Sequence, residues 1–209
     1  MKPKITVIVP FYNTADLLKR ALDSIPLADD VQVILLDDGS TDDSWNIALD
    51  WWRNHNLETT GSVIHRWEQN KGVAKTMNLG FDLAKGEYIV SLSSDDYYVT
   101  DFEPFRPYLD GENDLVFFNL EVNDGTVWNV SEENMDTFVG AVKFIRRTFL
   151  GNTRIPNIKY KEDIPFSFEL YKKEPKCVFT HTVLKHYNFP REGSLIWQAN
   201  HEGADNERR

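Results

Sequence analysis

Residues 91–98 read SLSSDDYY, and this stretch decides how the rest of the chain is interpreted. An apolar run at 88–92 follows the turn residue Gly86 and ends at two adjacent acids, Asp95 and Asp96, which predicts a short buried strand. Open α/β sheets hold their ligands at the carboxyl ends of such strands. A divalent cation carrying a phosphorylated ligand would satisfy both acids, because Mg²⁺ usually takes one or two carboxylates and completes its shell with phosphate and water. A solvated Asp-Asp turn explains the two residues equally well.

The composition is that of a folded globular protein. The 209 residues are 41% hydrophobic and 13% aromatic, enough for one substantial core. The formal net charge of −10 argues against a broad surface for nucleic acid or anionic lipid. Cys177 is the single cysteine, which excludes an internal disulfide and a cysteine-based zinc cluster and favours the cytoplasm. No apolar segment approaches the roughly 20 residues that span a membrane, and Pro10 interrupts the first apolar run, which argues against a signal peptide.

Strand and helix patterns alternate over the first hundred residues. Strands are predicted at 4–9, 31–36, 63–64 and 88–92, and apolar residues recur at helical spacing between them. This alternation predicts a mostly parallel sheet covered by helices. Past Asp101 the pattern becomes mixed. It predicts a strand at 114–118, a turn at 123–125, a helical face from Phe138 to Phe149, a helix from Glu162, and a hairpin of two short strands at 178–180 and 183–187.

Small polar and acidic residues gather where predicted strands end or helices begin. They lie at 10–13, 37–40, 70–78 and 93–96. Because the carboxyl ends of parallel strands meet at one edge of a sheet, these loops are expected to converge and form a cleft.

Three of these stretches carry a family resemblance. VIVPFYN at 7–13, ILLDDGSTDDS at 34–44 and NKGVAKTMNLGFDLAKGEYIVSLSSDD at 70–96 resemble, in order and at the usual spacing, the nucleotide-binding half of family 2 glycosyltransferases with the GT-A fold. The combined signature is specific, whereas DDGS alone would not be. The resemblance covers residues 4–101, and in the carboxyl half it is confined to Glu162-Asp163 and YNFPREGS at 187–194.

The resemblance implies a GT-A-like, Rossmann-like single domain with two halves. Residues 1–101 would bind the nucleotide-sugar, and residues 102–209, a smaller mixed α+β region, would bind the acceptor and supply the catalytic base. The activity implied is metal-dependent, inverting transfer of a sugar from a UDP-linked donor to an acceptor hydroxyl. A catalytically inactive nucleotide-sugar-binding module is the alternative, and donor turnover discriminates the two. A sugar nucleotidyltransferase would want a glycine-rich basic loop after the first strand, which residues 10–13 do not offer.

The resemblance also implies which residues contact the donor. Pro10 and Tyr12 would line the nucleobase pocket, and Asp38 would accept a hydrogen bond from the ring N–H of the base. Asn70, Lys71 and Gly72 would lie along the diphosphate or ribose. The guanidinium of Arg191 would contact the phosphates. The exposed-lysine interpretation is preferred for Lys75, which follows in the next helix.

The metal ligands implied by the resemblance are Asp95 and Asp96. Asp96 would bind Mg²⁺ or Mn²⁺ directly, and Asp95 would contact the ribose or a metal-bound water. The family often has a further aspartate where this chain has Ser93, and the loss of that charge leaves open which acid does which job. His186 could complete the metal shell, although a histidine in a short strand is more often packed or exposed.

Asp163 matches the acid that usually serves as the base in this family. An inverting transfer needs a carboxylate that faces the acceptor hydroxyl from the side opposite the leaving diphosphate. An acidic pair stabilised by a helix dipole is the structural alternative for Glu162 and Asp163. The acceptor is open among a glycan, a lipid carrier, a protein and a modified base, with Trp128 or Trp197 as candidates for stacking on a sugar. The expected location is the cytoplasm, including peripheral attachment to a membrane, and the oligomeric state is left open.

Overall fold

The computed structural model describes residues 2–137, 140, 142–158 and 161–192. Phe138 of the predicted helical face, Trp197 and the polar end at 200–209 lie outside these residues. Within them, no helix combines the length and apolar character needed to cross a membrane.

The amino-terminal half forms four parallel strands in the order β3-β2-β1-β4. They are β1 (Ile5–Phe11), β2 (Val31–Asp37), β3 (Val63–Arg66) and β4 (Tyr88–Ser91). Every residue of β2 is buried, and β1 is buried at all positions but one. Continuous apolar runs of this kind are typical of parallel strands whose two faces are both covered. The prediction of an alternating, mostly parallel first half is confirmed.

Three helices follow the first three strands. They are α1 (Ala15–Asp23), α2 (Ser44–Asn54) and α3 (Val73–Leu83). Helices α1 and α2 pack against each other, whereas α3 packs on β1 and β2. Gly80 permits the close approach of α3, because a Cβ at this position would lie 2.6 Å from Ile8 Cγ2. The start of α3 is thereby held over the carboxyl ends of β1 and β2.

The same sheet continues with β5 (Tyr97–Tyr98), β6 (Leu115–Val122), β7 (Val127–Trp128), β8 (Lys143–Arg146) and β9 (Cys177–Tyr187). Their order is β4-β8-β6-β9-β5, and β7 pairs with β6. Strand β8 runs antiparallel to β4 and β6, whereas β9 runs parallel to β6 and antiparallel to β5. The remaining helices are α4 (Arg147–Leu150), α5 (Asp163–Tyr171) and two 3₁₀ turns at Leu57–Thr59 and Glu103–Tyr108.

Two predictions for the second half are wrong. The predicted helical face that ends at Phe149 includes strand β8, and of its described residues only those from Arg147 onward are helical, in α4. The first three residues of β8 are buried between β4 and β6, and a short apolar run gives no period that separates a strand from a helix. The predicted terminal hairpin is one strand, β9, which passes through His181 with φ of +54° and continues in the same direction beside β6.

Candidate active site

Asp38 follows β2 and fixes the loop that opens α3. Its Oδ1 accepts a hydrogen bond from the backbone N–H of Lys71 at 2.7 Å, and its Oδ2 accepts one from Gly72 at 3.0 Å. Gly72 has φ of +89°, so this turn favours glycine. A carboxylate offers about four acceptor positions, so the predicted contact of Asp38 with a nucleobase N–H is compatible with both bonds and stays a prediction.

Asp37, the other acid of the pair, has a structural role. It is fully buried, its Oδ1 accepts the backbone N–H of Ser40 at 2.8 Å, and Arg66 Nε lies 3.1 Å from its Oδ2. Gly39, which lies between Asp38 and Ser40 in the chain, has φ of +79°. A Cβ on Gly39 would lie 2.6 Å from the carbonyl carbon of Gln69. The loop after β2 and the loop before α3 are therefore in direct backbone contact.

We expect Asp38→Ala to lower the free energy of unfolding by about 1–3 kcal/mol, because two backbone donors lose a charged acceptor. Urea denaturation followed by circular dichroism measures this. Asp43→Ala is the matched control: Asp43 is exposed, and its Oδ1 accepts a hydrogen bond from Nδ2 of the nearby exposed Asn46 at 2.7 Å, so a change within about 0.5 kcal/mol is expected. Equal losses in the two variants would contradict the proposed link between Asp38 and the loop.

The remaining donor-side residues predicted from the sequence lie at the same edge of the sheet. Pro10 lines the main cavity, and Tyr12, just past the end of β1, is 43% exposed. The side chain of Asn13 ties this segment to the loop after β2, because its Oδ1 accepts the backbone N–H of Thr41 at 2.8 Å. Asn70 and Lys71 are exposed at the start of α3. Of these predicted residues, Pro10 lines the cavity whereas Tyr12, Asn70 and Lys71 do not, and their contacts with a donor stay predictions.

Asp96 is buried and paired with a lysine that sequence reasoning missed. Only 1% of Asp96 and 3% of Lys185 are exposed, and Lys185 Nζ lies 3.2 Å from Asp96 Oδ2. The other oxygen, Oδ1, accepts the backbone N–H of Asn188 at 3.0 Å. Burial raises the pKa of the Asp96 carboxyl, an effect that the Lys185 ammonium opposes and the Asp95 carboxylate reinforces.

Asp95 is held by two arginines. Arg191 places both Nε and Nη2 against Asp95 Oδ2, at 2.9 and 2.8 Å. The backbone carbonyl of Asp95 accepts Arg20 Nη2 at 3.0 Å, and the Arg20 guanidinium lies 4.6 Å from the centre of the Tyr97 ring. Arg191, predicted to contact phosphates, is thus paired with Asp95.

The two neighbouring residues of β9 have different surroundings. Lys185 contacts Asp96, whereas the His186 ring stacks on Tyr97 with its Nε2 3.0 Å from Asn123 Oδ1. The Nδ1 atom of His186 lies 3.6 Å from Glu121. Successive strand residues point to opposite faces, so this alternation is expected. The interpretation of His186 as a metal ligand with Asp96 is therefore not supported.

The acids at this edge do not fit a divalent cation in the arrangement observed. Each predicted metal ligand, Asp95 or Asp96, already faces a side-chain cation. Ser93, which lines the same cavity, replaces a carboxylate with a neutral hydroxyl. Among the described residues no group of three or more His, Cys, Asp or Glu side chains is arranged to hold a metal ion.

Asp163 lines the same cavity of about 530 Å³ as Asp96. It is the first residue of α5 and is half-buried. A Cβ on Gly140 would lie 3.0 Å from Asp163 Oδ2, so this wall of the cavity is tight. Burial raises the pKa of the adjacent Glu162, and the charge of Asp163 adds to the shift. The structure places the predicted base and the donor acid Asp96 on the lining of one space.

Lys143 is a second buried lysine on this lining. Its Nζ donates to Gly140 O and Ser167 Oγ, both at 3.2 Å, and lies 5.7 Å from the ring centres of Phe117 and Tyr171. Burial lowers the pKa of Lys143 from 10.5 to about 7, although the charge of Asp163 works in the opposite direction. A lysine in the buried strand β8 gives no signal in the sequence beyond its position in an apolar run.

The depressed pKa of Lys143 predicts a pH-dependent stability. Between about pH 7 and 10.5 the unfolded chain holds a proton on Lys143 that the folded chain does not, so this group makes unfolding harder as pH rises. Between pH 7 and pH 10 we expect the free energy of unfolding to rise more in the native chain than in Lys143→Met. Urea titrations at several pH values measure the difference, and parallel curves for the two proteins would contradict the assignment.

The sheet and its cavity define an α/β protein whose ligand site lies at the carboxyl ends of its parallel strands. Residues 6–175 match the model of the family described as glycosyl transferase family 2, and the chain belongs to this family. It is 31% identical over 158 residues to the putative glycosyltransferase EpsH of Bacillus subtilis (strain 168). That match covers 73% of this chain and 44% of EpsH, so the chain spans less than half of this relative.

Solved structures of similar fold confirm the predicted GT-A architecture. S. aureus TarS 1–349 in complex with UDP-GlcNAc superposes with a TM-score of 0.77 at 22% identity, over 92% of this chain and 60% of TarS 1–349. The mannosyltransferase PcManGT from Pyrobaculum calidifontis, in complex with GDP-Man and Mn²⁺, superposes with a TM-score of 0.73 at 17% identity, over 100% of this chain and 65% of PcManGT.

Proposed function

We propose that the chain transfers a sugar from a UDP-linked donor to an acceptor hydroxyl with inversion at the anomeric carbon. The observation that carries this proposal is the shared cavity, which has Asp96 beyond the end of β4 and Asp163 at the start of α5 on its lining. Membership of glycosyl transferase family 2 supports the reaction class, and the UDP-GlcNAc complex of TarS supports a uridine nucleotide.

The two halves of the chain divide the work in this proposal. Residues 1–101 bind the donor, with Pro10 and Tyr12 at the nucleobase, Asp38 at its ring N–H, and Asn70, Lys71 and Gly72 along the diphosphate or ribose. Residues 102–209 bind the acceptor and supply Asp163. Trp128 lines the cavity and packs edge-on against Tyr187 and Phe189, which makes it the described tryptophan best placed to meet a sugar.

Asp163 acts as the general base in the proposed reaction. Its carboxylate takes the proton from the acceptor hydroxyl as that oxygen forms a bond to the anomeric carbon. The bond between this carbon and the diphosphate oxygen breaks on the opposite face, and UDP leaves with the electron pair. In this proposal Lys185 and Arg191, which pair with Asp96 and Asp95, stabilise the negative charge that develops on the diphosphate.

The metal part of the sequence prediction stays a prediction. Mn²⁺ is present with PcManGT, and a dependence on Mg²⁺ or Mn²⁺ would need Asp95 and Asp96 as ligands. Both carboxylates are engaged by cations of this chain, so no step of the proposed reaction is assigned to a metal. The cytoplasmic location expected from the single cysteine also stays a prediction.

A panel of nucleoside diphosphates and nucleotide sugars, screened by thermal shift, tests the donor assignment. UDP and one UDP-sugar are expected to raise the unfolding temperature more than the guanosine, adenosine and cytidine counterparts. Proton NMR of donor and a set of acceptors then reports transfer and the configuration of the product. Binding without transfer or slow donor hydrolysis would favour the inactive binding module, and retention of configuration would reject inversion.

A further inference from the structure

We propose that Lys185, together with Arg191, takes the place of a divalent cation at the donor diphosphate, so that UDP binding and sugar transfer proceed without a metal ion. This inference rests on the proposed function, because it concerns how the same site neutralises its donor. The role assigned to Lys185 is to neutralise the diphosphate with its ammonium group.

The geometry around Asp96 carries the first step. A cation bound to Asp96 Oδ2 would have to displace the Lys185 ammonium, which lies 3.2 Å from that oxygen. Lys185 is buried, and separating a buried ammonium from its carboxylate leaves an uncompensated charge. The displaced ammonium would also remain beside a doubly positive ion. The other oxygen, Oδ1, already accepts the N–H of Asn188.

The neighbours of Asp96 offer little to compensate for that displacement. Asp95 binds Arg191 through two nitrogens, so a metal would compete with a guanidinium there as well. Ser93 contributes a hydroxyl instead of a carboxylate. His186 lies in the adjacent strand position with its ring against Tyr97 and Asn123. Among the described residues, each of these neighbours of Asp96 is therefore paired with a cation, uncharged or engaged elsewhere.

The same contacts suit a phosphate. Lys185 and Asp96 line the cavity that holds Asp163, so the ammonium lies next to the space for the donor. An ammonium binds phosphate as a point charge, and a guanidinium binds it through parallel N–H bonds. In this arrangement the two acids position the two cations for the diphosphate. Asp96 and Asp95 then have no direct contact with the leaving diphosphate, and their role is to hold Lys185 and Arg191 in place.

Calorimetric titration of UDP into the intact chain, once with EDTA and once with Mn²⁺, tests the inference. The expected result is binding in EDTA with a dissociation constant within about threefold of the value in Mn²⁺. Binding that needs Mn²⁺, or that Mn²⁺ tightens by about tenfold or more, would overturn the metal-free site and leave the proposed transferase intact. Absence of UDP binding under both conditions would instead reject the proposed function.

Variants of Lys185 provide the second arm. Lys185→Met is expected to weaken UDP binding in EDTA by at least about tenfold, whereas the control Lys75→Met, which removes an exposed lysine of α3, leaves it unchanged. Lys185→Met leaves the buried carboxylate of Asp96 without its cation, which can destabilise the fold. The double variant Lys185→Met/Asp96→Asn removes both charges of the pair and so avoids this cost. Weak binding by the folded double variant in EDTA supports the inference, and native-like binding by either Lys185 variant overturns it.

Discussion

Replacing Asp163 with asparagine is expected to lower the rate of sugar transfer by about 10²–10⁴-fold, the usual contribution of a general base. The amide keeps the size of the side chain but cannot take the proton of the acceptor hydroxyl. UDP binding and the unfolding temperature are expected to stay close to those of the native chain, because the proposed contact of Asp163 is with the acceptor hydroxyl and not with UDP. Initial rates at saturating donor, with the dissociation constant of UDP measured separately, give the comparison.

Two other substitutions sharpen this test. Glu169→Gln changes an exposed acid of the same helix, paired with Lys172, and is expected to leave transfer unchanged. Glu162→Gln addresses the neighbouring acid, whose pKa is raised mainly by burial. Undiminished turnover by Asp163→Asn, with loss of activity in Glu162→Gln, would move the role of base to Glu162.

Gly39→Ala is expected to lower the free energy of unfolding by about 2–4 kcal/mol. A side chain with φ near +79° is strained by about 1–3 kcal/mol, and the new Cβ would also sit 2.6 Å from a backbone atom of Gln69. Neither the loop after β2 nor the loop before α3 can relieve this contact by rotating a side chain. Urea denaturation measures the loss, and weaker UDP binding should accompany it because both loops belong to the donor side.

Gly125→Ala separates the two causes. Gly125 has φ of +81°, close to that of Gly39, but nothing lies within 4 Å of a Cβ built on it. We therefore expect a loss of about 1 kcal/mol from conformational strain alone. Similar losses in Gly39→Ala and Gly125→Ala would show that the backbone contact with Gln69 contributes nothing.

The parallel half of the fold was predictable because its signals are local. The strands at 4–9, 31–36 and 88–92 are largely apolar runs, and a helix with its own periodicity follows each of the first two and precedes the third. The second half lacks such signals. Strand β8 is four residues long with little period of its own, and its pairing with β4 and β6 depends on residues far away in the chain.

The acids of the site could be found from the sequence, but Lys185, the partner of Asp96, could not. Asp38, Asp95, Asp96 and Asp163 all stand at a strand end or a helix start, which is a property of nearby residues. The position of Lys185 depends instead on the register of β9 with β5, where Tyr98 pairs with Lys185 and Tyr97 with His186. A shift of this register by one residue would bring His186 to the position of Lys185. The sequence of one strand alone does not reveal which of these two registers the strands adopt.

Strand β9 lies between β6 and β5, and β5 belongs to the segment that carries the two donor acids. During synthesis, Asp95 and Asp96 therefore leave the ribosome about ninety residues before Lys185 and Arg191 do. Domains form as units during translation, and contacts between distant residues close late. Over those ninety residues of synthesis the nascent chain carries two adjacent carboxylates without Lys185 and Arg191, and these charges can be balanced by the two cations only after β9 has been made.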